Sequence, residues 1–393
     1  MPHIIYYSRL FCQVGKDKKM NARKLTLKDA MMLVVDFRIN RRKKYPLYEI
    51  LMIAACTIIC GGKGFHDFER FGKSKYKWFK QFLPLENGIP SHDTFRRVFS
   101  LLDPAGFNGA MIKWLESIVD VAGDVVSIDG KCLRRARTKS GKQPCIVSAL
   151  SEKSKMIIGQ IKAEEKSSEI TAIPNLLELL YLKGCIVSID AAGCQKKIVR
   201  TIRKHEADYM ISLKGNQTTM HDEIRLFFED GIRCGSQNFR KASSIDCGHG
   251  RVERRTCWQS TYIDWFQERH LWKDLNSVCM VESEVYSKAT GKTTTERRYF
   301  ISSLGMNPQR ALKTIRAHWG IESMHWTLDV SFDEDRSRAR TKNAAENLAM
   351  LRHVVLNILR LDKSIVAGIS TKCKELTWDD DKRYKLIIAT TQS

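Results

Sequence analysis

No C-x-x-C pair occurs among the twelve cysteines of this 393-residue chain. That excludes a zinc finger or ribbon built on closely paired thiols. Cys56 and Cys60 stand four apart in an apolar helical stretch and are expected to face a core. A long apolar run is also missing: Leu51 to Cys60 is far too short to span a bilayer. The opening M-P-H-I-I-Y-Y has no basic region ahead of an apolar segment, so a secretory signal is not expected. Reduced thiols, no membrane and a cytoplasmic location follow as expectations. Acidic residues are scarce, with 44 Asp and Glu against 66 Lys and Arg and a net charge of +22. Such an excess favours a polyanionic partner, nucleic acid first, with a solvated basic surface as the plain alternative.

A hydrophobic fraction of 43% supports real cores, and the length suits two or three modules. Internal repeats and low-complexity tracts are absent. Residues 1–120 read as an all-helical module. Leu27 to Phe37 and Tyr48 to Cys60 are helical, the latter stopped by Gly61 and Gly62. A mostly basic run with Arg38, Arg41, Arg42, Lys43 and Lys44 lies between them. Ser91 caps a helix carrying Arg96 and Arg97, which is compatible with helix-turn-helix DNA binding as well as with plain packing. Phe107 to Val119 is the last helix of the module.

From Asp124 the pattern changes to an α/β order. Strands are expected at 124–129, 145–150, 156–163, 186–190 and 209–213, with helices at 170–182 and 195–205. Residues 121–214 are read as the first part of a core and 215–297 as a mainly β insertion with strand-like runs near 256–262 and 277–286. Residues 298–362 form the second part, with one long helix from Pro308 to Val330 and another from Asn343 to Leu361. Residues 363–393 are a basic tail in which Trp378 is the expected anchor.

Two strands end on a carboxylate. D-V-V-S-I-D-G-K places Asp129 after Val125, Val126 and Ile128, and C-I-V-S-I-D-A places Asp190 likewise. An acid in a buried strand is costly unless something positive or hydrogen-bonding meets it. Asp129 is therefore a structural acid or a metal ligand. A third acid, Glu322, shares a helical stripe with His318, His325 and Asp329. Zinc on His318, Glu322 and His325 is a weaker reading, because H-E-x-x-H is absent. A solvated stripe is the other alternative, and Asp333 and Asp335 are reserve acids. Three carboxylates suit two magnesium ions, with manganese as a substitute, in phosphodiester chemistry. Lys131, Arg134, Arg135, Arg137 and Lys139, and later His249, Arg251, Arg254 and Arg255, suit phosphate contacts that position DNA without reading its sequence.

Several segments together resemble a family. They are I-P-S-H-D-T-F-R-R-V-F at 89–99, S-I-D-G-K at 127–131, V-S-I-D-A-A-G-C-Q at 187–195 and M-I-S-L-K-G-N-Q at 210–217. H-G-R-V-E-R-R at 249–255, R-Y-F-I-S-S-L at 298–304 and H-W-G-I-E-S-M-H-W-T-L-D-V-S-F-D-E-D at 318–335 complete the set. The chain resembles DDE-class insertion-sequence transposases of the branch that includes the H-repeat-associated proteins. The resemblance implies a ribonuclease-H-like catalytic core split by the insertion, with Asp129, Asp190 and Glu322 as the metal-binding triad. It implies magnesium, double-stranded DNA as substrate, cleavage and strand transfer at terminal inverted repeats, and a homodimer or higher oligomer on the DNA ends. Lys214, His318 and His325 join the DNA-contact candidates. Where the wider class shows tyrosine, arginine and lysine around the last acid, this chain has Ile315, His318 and Asp329. A nuclease that cuts without joining, or a non-catalytic DNA-binding protein derived from a mobile element, are the competing functions.

Overall fold

The computed structural model describes residues 24–40, 43–137, 141–248 and 250–392. Arg41, Arg42, Lys139 and His249 lie outside the described residues. The chain divides into two compact units, residues 121–336 and residues 1–120 with 337–393.

In the second of these units the described residues before Asp120 form helices α1 (Leu27–Leu33), α2 (Leu47–Ile59), α3 (Phe65–Ser74), α4 (Tyr76–Phe79), α5 (His92–Leu101) and α6 (Pro104–Glu116). Helix α2 is apolar on every side and buried nearly throughout, as a helix without a polar face must be. Ser91 caps α5 by accepting from the Thr94 amide, and Phe95, Val98 and Phe99 face inward while Arg96 and Arg97 are exposed. Later in the chain come α12 (Ala344–Leu361), α13 (Ile369–Trp378) and α14 (Asp380–Gln392). Helix α12 packs on α2, α5 and α6, whereas the sequence reading grouped it with the core. The reason is its composition: fifteen of its residues are buried, and Asn347 donates to the Phe99 and Leu102 carbonyls that end α5. Trp378, expected as an anchor, is 76% exposed. Trp78 and Trp114 are the buried tryptophans here, and Trp78 lies under the Arg383 guanidinium.

The other unit is built on one nine-stranded mixed sheet. Its strands are β1 (Val125–Cys132), β2 (Cys145–Ser151), β3 (Ile157–Ala163), β4 (Ile186–Ile189), β5 (Asp208–Leu213), β6 (Arg240–Gly248), β7 (Arg251–Ser260), β8 (Ser277–Ser287) and β9 (Thr293–Ser302). The order is β3-β2-β1-β4-β5-β9-β8-β7-β6. β1 pairs antiparallel with β2 but parallel with β4, and β4 parallel with β5. Parallel neighbours need crossovers. These are supplied by α7 (Glu169–Leu177) and α8 (Lys196–Lys204). After α9 (Thr218–Arg233), the insertion strands extend the same sheet, and β9 returns beside β5.

The expected long helix from Pro308 is two helices, α10 (Pro308–Ala317) and α11 (Trp319–Phe332), that meet at His318. The Ala317 carbonyl at the junction accepts from Ser127 Oγ at 3.4 Å. Leu312 and Ile315 of α10 pack with Ile186, Met210, Cys279 and Phe300 of the sheet. Reduced thiols were expected throughout, but Cys132 and Cys145 are joined by a disulfide. The other described cysteines form no disulfide. Among the described residues no helix is long and apolar enough to cross a membrane.

Candidate active site

Strand alternation sets the site. Side chains two apart on a strand share a face. Val125, Ser127 and Asp129 therefore point one way, and Ile186, Ser188 and Asp190 do the same on the parallel neighbour. The register pairs Val125 with Ile186, Ser127 with Ser188 and Ile128 with Ile189, which brings Asp129 and Asp190 to adjoining strand ends. This face is the one covered by α10 and α11. Ile186, with Val125 against it, packs with Leu312 and Ile315, Ser127 bonds the Ala317 carbonyl, and His318 bonds the Ser188 backbone. The paired small serines let the helix junction approach the sheet closely. The repeated S-I-D in both strands was the sequence signal for this approach.

Asp190 ends its strand as a cap, accepting from the amides of Ala192 and Gly193 at 3.0 and 3.3 Å. Asp129 has weaker support, a hydrogen bond from the Gly130 backbone. Burial and then the charge of Asp190 push its carboxyl up from 3.8 to about 7. His325 of α11 lies beside it, with Nδ1 3.6 Å from Oδ2. The raised value has a definite sign. The folded chain keeps a proton on Asp129 that the unfolded chain releases, so stability is fully present below pH 3.8 and lost as pH rises through about 7. The loss amounts to at most about 4 kcal/mol. Urea unfolding in chelator from pH 4 to pH 8 should show the wild type losing stability against Asp129→Asn across that window. A constant difference between the two would contradict the placement.

Glu322 lies in the first turn of α11 and is exposed. His318 links it to the strand acids. Its ring is within electrostatic reach of both Asp190 and Glu322, yet burial outweighs them and holds the imidazole below its usual range. The start of α11 is braced from the insertion. The Trp319 ring is 4.9 Å from the Arg255 guanidinium of β7 and 5.5 Å from that of Arg298 on β9. Cation–π contacts of this kind hold an aromatic plate in place.

The donor set fits a hard divalent cation. Two carboxylates crowd one another at partly buried strand ends, where burial and then the charge of Asp190 raise the Asp129 carboxyl. The three acids are not drawn together as tightly as a closed site. Among the described residues, the ligand atoms that converge within 4.8 Å belong to Cys132, Cys145 and Glu169.

Residues 122–358 match the transposase DDE domain, and residues 29–115 match the DDE_Tnp_1-associated family. The chain belongs to the DDE transposase family. It is 37% identical over 366 residues to "H repeat-associated putative transposase YhhI" of Escherichia coli K12, covering 90% of this chain and 95% of that one. It is 36% identical over 359 residues to "Putative transposase YncI" of Escherichia coli O157:H7, covering 89% and 91%. A solved piggyBac transposase synaptic complex with hairpin DNA aligns with a TM-score of 0.42 and 10% identity, over 99% of this chain and 78% of that one.

The basic candidates of this DDE-family chain fall into two groups. Arg135, Arg137, Lys214, Arg251, Arg254, Arg96 and Arg97 are exposed. Arg96 also pairs with Asp93 at 2.7 Å and Arg134 with Asp335 at 3.1 Å. Lys131 is different. Its Nζ bonds Asp329, lies 2.9 Å from Glu334 and 3.8 Å from Asp335, and its side chain is only 11% exposed. Burial pulls the ammonium down, but the charges of Glu334 and Asp329 outweigh it and hold it above its usual range. Asp329 thus meets its cation across from β1, at the helix position where the wider class carries a lysine. Arg255, grouped with the phosphate contacts from its sequence setting, is 5% exposed and paired with Asp246 and Glu253. His318 and His325 sit among the acids, not with the exposed cations.

Proposed function

We propose that this chain is a metal-dependent DNA transposase whose residues 121–336 form a ribonuclease-H-like core, with Asp129, Asp190 and Glu322 as the metal-binding carboxylates. The observation that carries the reading is the parallel β1–β4 register, which brings two acids to adjoining strand ends under the helix bearing the third. The first five strands also follow the order β3-β2-β1-β4-β5. Magnesium, or manganese in its place, would sit between these oxygens and supply charge neutralisation and an activated water or 3′-hydroxyl. The protein's own residues provide the frame. Asp190 is oriented by its two amide bonds, Asp129 by His325, and Glu322 by the Trp319 brace. The half-buried His318, its imidazole held below its usual range by burial, lies within electrostatic reach of Asp190 and Glu322.

The substrate in this reading is double-stranded DNA at the inverted-repeat ends of an insertion sequence, cut and joined to a target. Lys214, Arg135, Arg137, Arg251 and Arg254 would follow its phosphates, and Arg96 and Arg97 would place the helical domain of residues 1–120 on the duplex. Two or more protomers would hold the two ends, in the cytoplasm. The assignment of the third acid has its own test. Asp333 pairs with Arg336 at 3.3 Å, and Asp335 is held by Lys131 and Arg134, whereas Glu322 forms no salt bridge among the described residues. Glu322→Gln should therefore abolish cleavage of labelled end-containing duplexes in manganese, while Asp333→Asn keeps it. The opposite result would move the third ligand to Asp333.

A further inference from the structure

We propose a second metal site in this protein, formed by the thiolates of Cys132 and Cys145 with the carboxylate of Glu169, that takes zinc when the two cysteines are reduced. It lies on the other face of β1 from Asp129. Gly130 and Cys132 alternate with Asp129 and so point away from α11. Glu169, the first residue of α7, covers that face so closely that a Cβ on Gly130 would stand 2.1 Å from its Oε1. Cys132 and Cys145 are direct partners in the β1–β2 register. Their sulfurs and a Glu169 oxygen all lie within 4.8 Å of one another.

The carboxylate is built into the site, not spread on the surface. Glu169 is 4% exposed. Its Oε2 is held by Lys166 at 2.7 Å, while the buried Oε1 has no hydrogen-bond partner. A buried carboxylate oxygen left unsatisfied is costly, so it marks a place for a cation or donor. Two thiolates select a soft or borderline ion, and zinc accepts two sulfurs and an oxygen with a fourth position open to water. The charges close as well. Two thiolates and a carboxylate carry three negative charges, which zinc and the Lys166 ammonium cancel. The disulfide is the alternative state of the same pair. Forming it removes two protons and two electrons from the thiols, and the sulfurs then cease to be thiolate ligands. Zinc at this point would tie the ends of β1 and β2 to the start of α7, where the Leu133 amide and Pro144 carbonyl close the base of the basic loop.

The test uses the full chain, reduced and stripped of metal, titrated with cobalt(II) as the spectroscopic stand-in for zinc. The expected result is a thiolate-to-cobalt charge-transfer band saturating near about one ion per chain and displaced by zinc. Cys132→Ser and Cys145→Ser should each remove most of it. Glu169→Gln should weaken cobalt affinity by at least about tenfold, the range lost when a supporting group is removed. Diamide, which takes up the two electrons and two protons as the disulfide forms, should abolish the band in wild-type protein without any substitution. Glu169 and Lys166 lie within electrostatic reach of Asp129 and Asp190, so Asp129→Asn should shift the cobalt affinity but keep the thiolate band, which reports the two cysteines and not the carboxylate site. A reduced wild-type protein with no such band, or a band that survives in the doubly substituted Cys132→Ser, Cys145→Ser chain, would overturn the proposal.

Discussion

Asp129→Asn and Asp190→Asn are each expected to lower divalent-ion-dependent DNA cleavage by about a thousandfold or more. A bound metal contributes several kcal/mol of charge stabilisation in phosphoryl transfer, and each 1.36 kcal/mol is about tenfold in rate. Each substitution keeps the side chain's shape and removes one charge. Asparagine can still accept the two amide bonds that Asp190 receives from Ala192 and Gly193. The fold should therefore persist, and at Asp129 the metal-free protein should gain stability at neutral pH, because a carboxyl pushed up to about 7 is relieved. Loss of cleavage with gain of stability separates a catalytic acid from a structural one. The measurement is a gel assay on end-containing duplexes in magnesium and in manganese, beside urea unfolding. Cleavage within tenfold of wild type in either variant would remove that acid from the site.

Lys131→Ala is expected to cost about 3 kcal/mol of stability, the low end for stranding a buried charge by removing its partner. The ammonium is shared by Asp329, Glu334 and Asp335, and the Glu334 side chain is only 2% exposed. Removing the cation leaves these acids facing one another where α11 ends. A change of that size would move the urea midpoint clearly, and Lys131→Arg should recover part of it. The sequence setting had pointed elsewhere, to a phosphate contact beside the first acid. In that case stability would hold within about 0.5 kcal/mol, as for surface substitutions, and the salt dependence of DNA binding would flatten by about one ion. Unfolding and a salt titration on the same variant decide between the two.

Much of the architecture was legible in the residues. Apolar runs ending at Asp129 and Asp190 marked β1 and β4, because buried strands must be apolar whatever they pair with. Ser91 marked a helix start through a local hydrogen bond that needs no distant partner. β6 was missed. It is an edge strand with polar residues on both faces, R-K-A-S-S-I-D-C-G, so no burial pattern announces it, and its pairing with β7 alone makes it a strand. The single helix expected from Pro308 to Val330 was read from periodicity, which cannot register where it meets Ser127, 190 residues away.

The sequence by itself determined the class of elements, the basic charge excess and the acids that could bind a metal, since these depend on local pattern and composition. Only the tertiary structure decided what each charged side chain does. Lys131 finds Asp329 and Glu334 at separations of 198 and 203 residues. Glu169 reaches the underside of β1 through a crossover, and Arg255 turns from a phosphate ligand into a buried brace for Trp319. A charge takes its role from the nearest opposite charge and from its depth, and both are set by contacts between segments far apart in the chain.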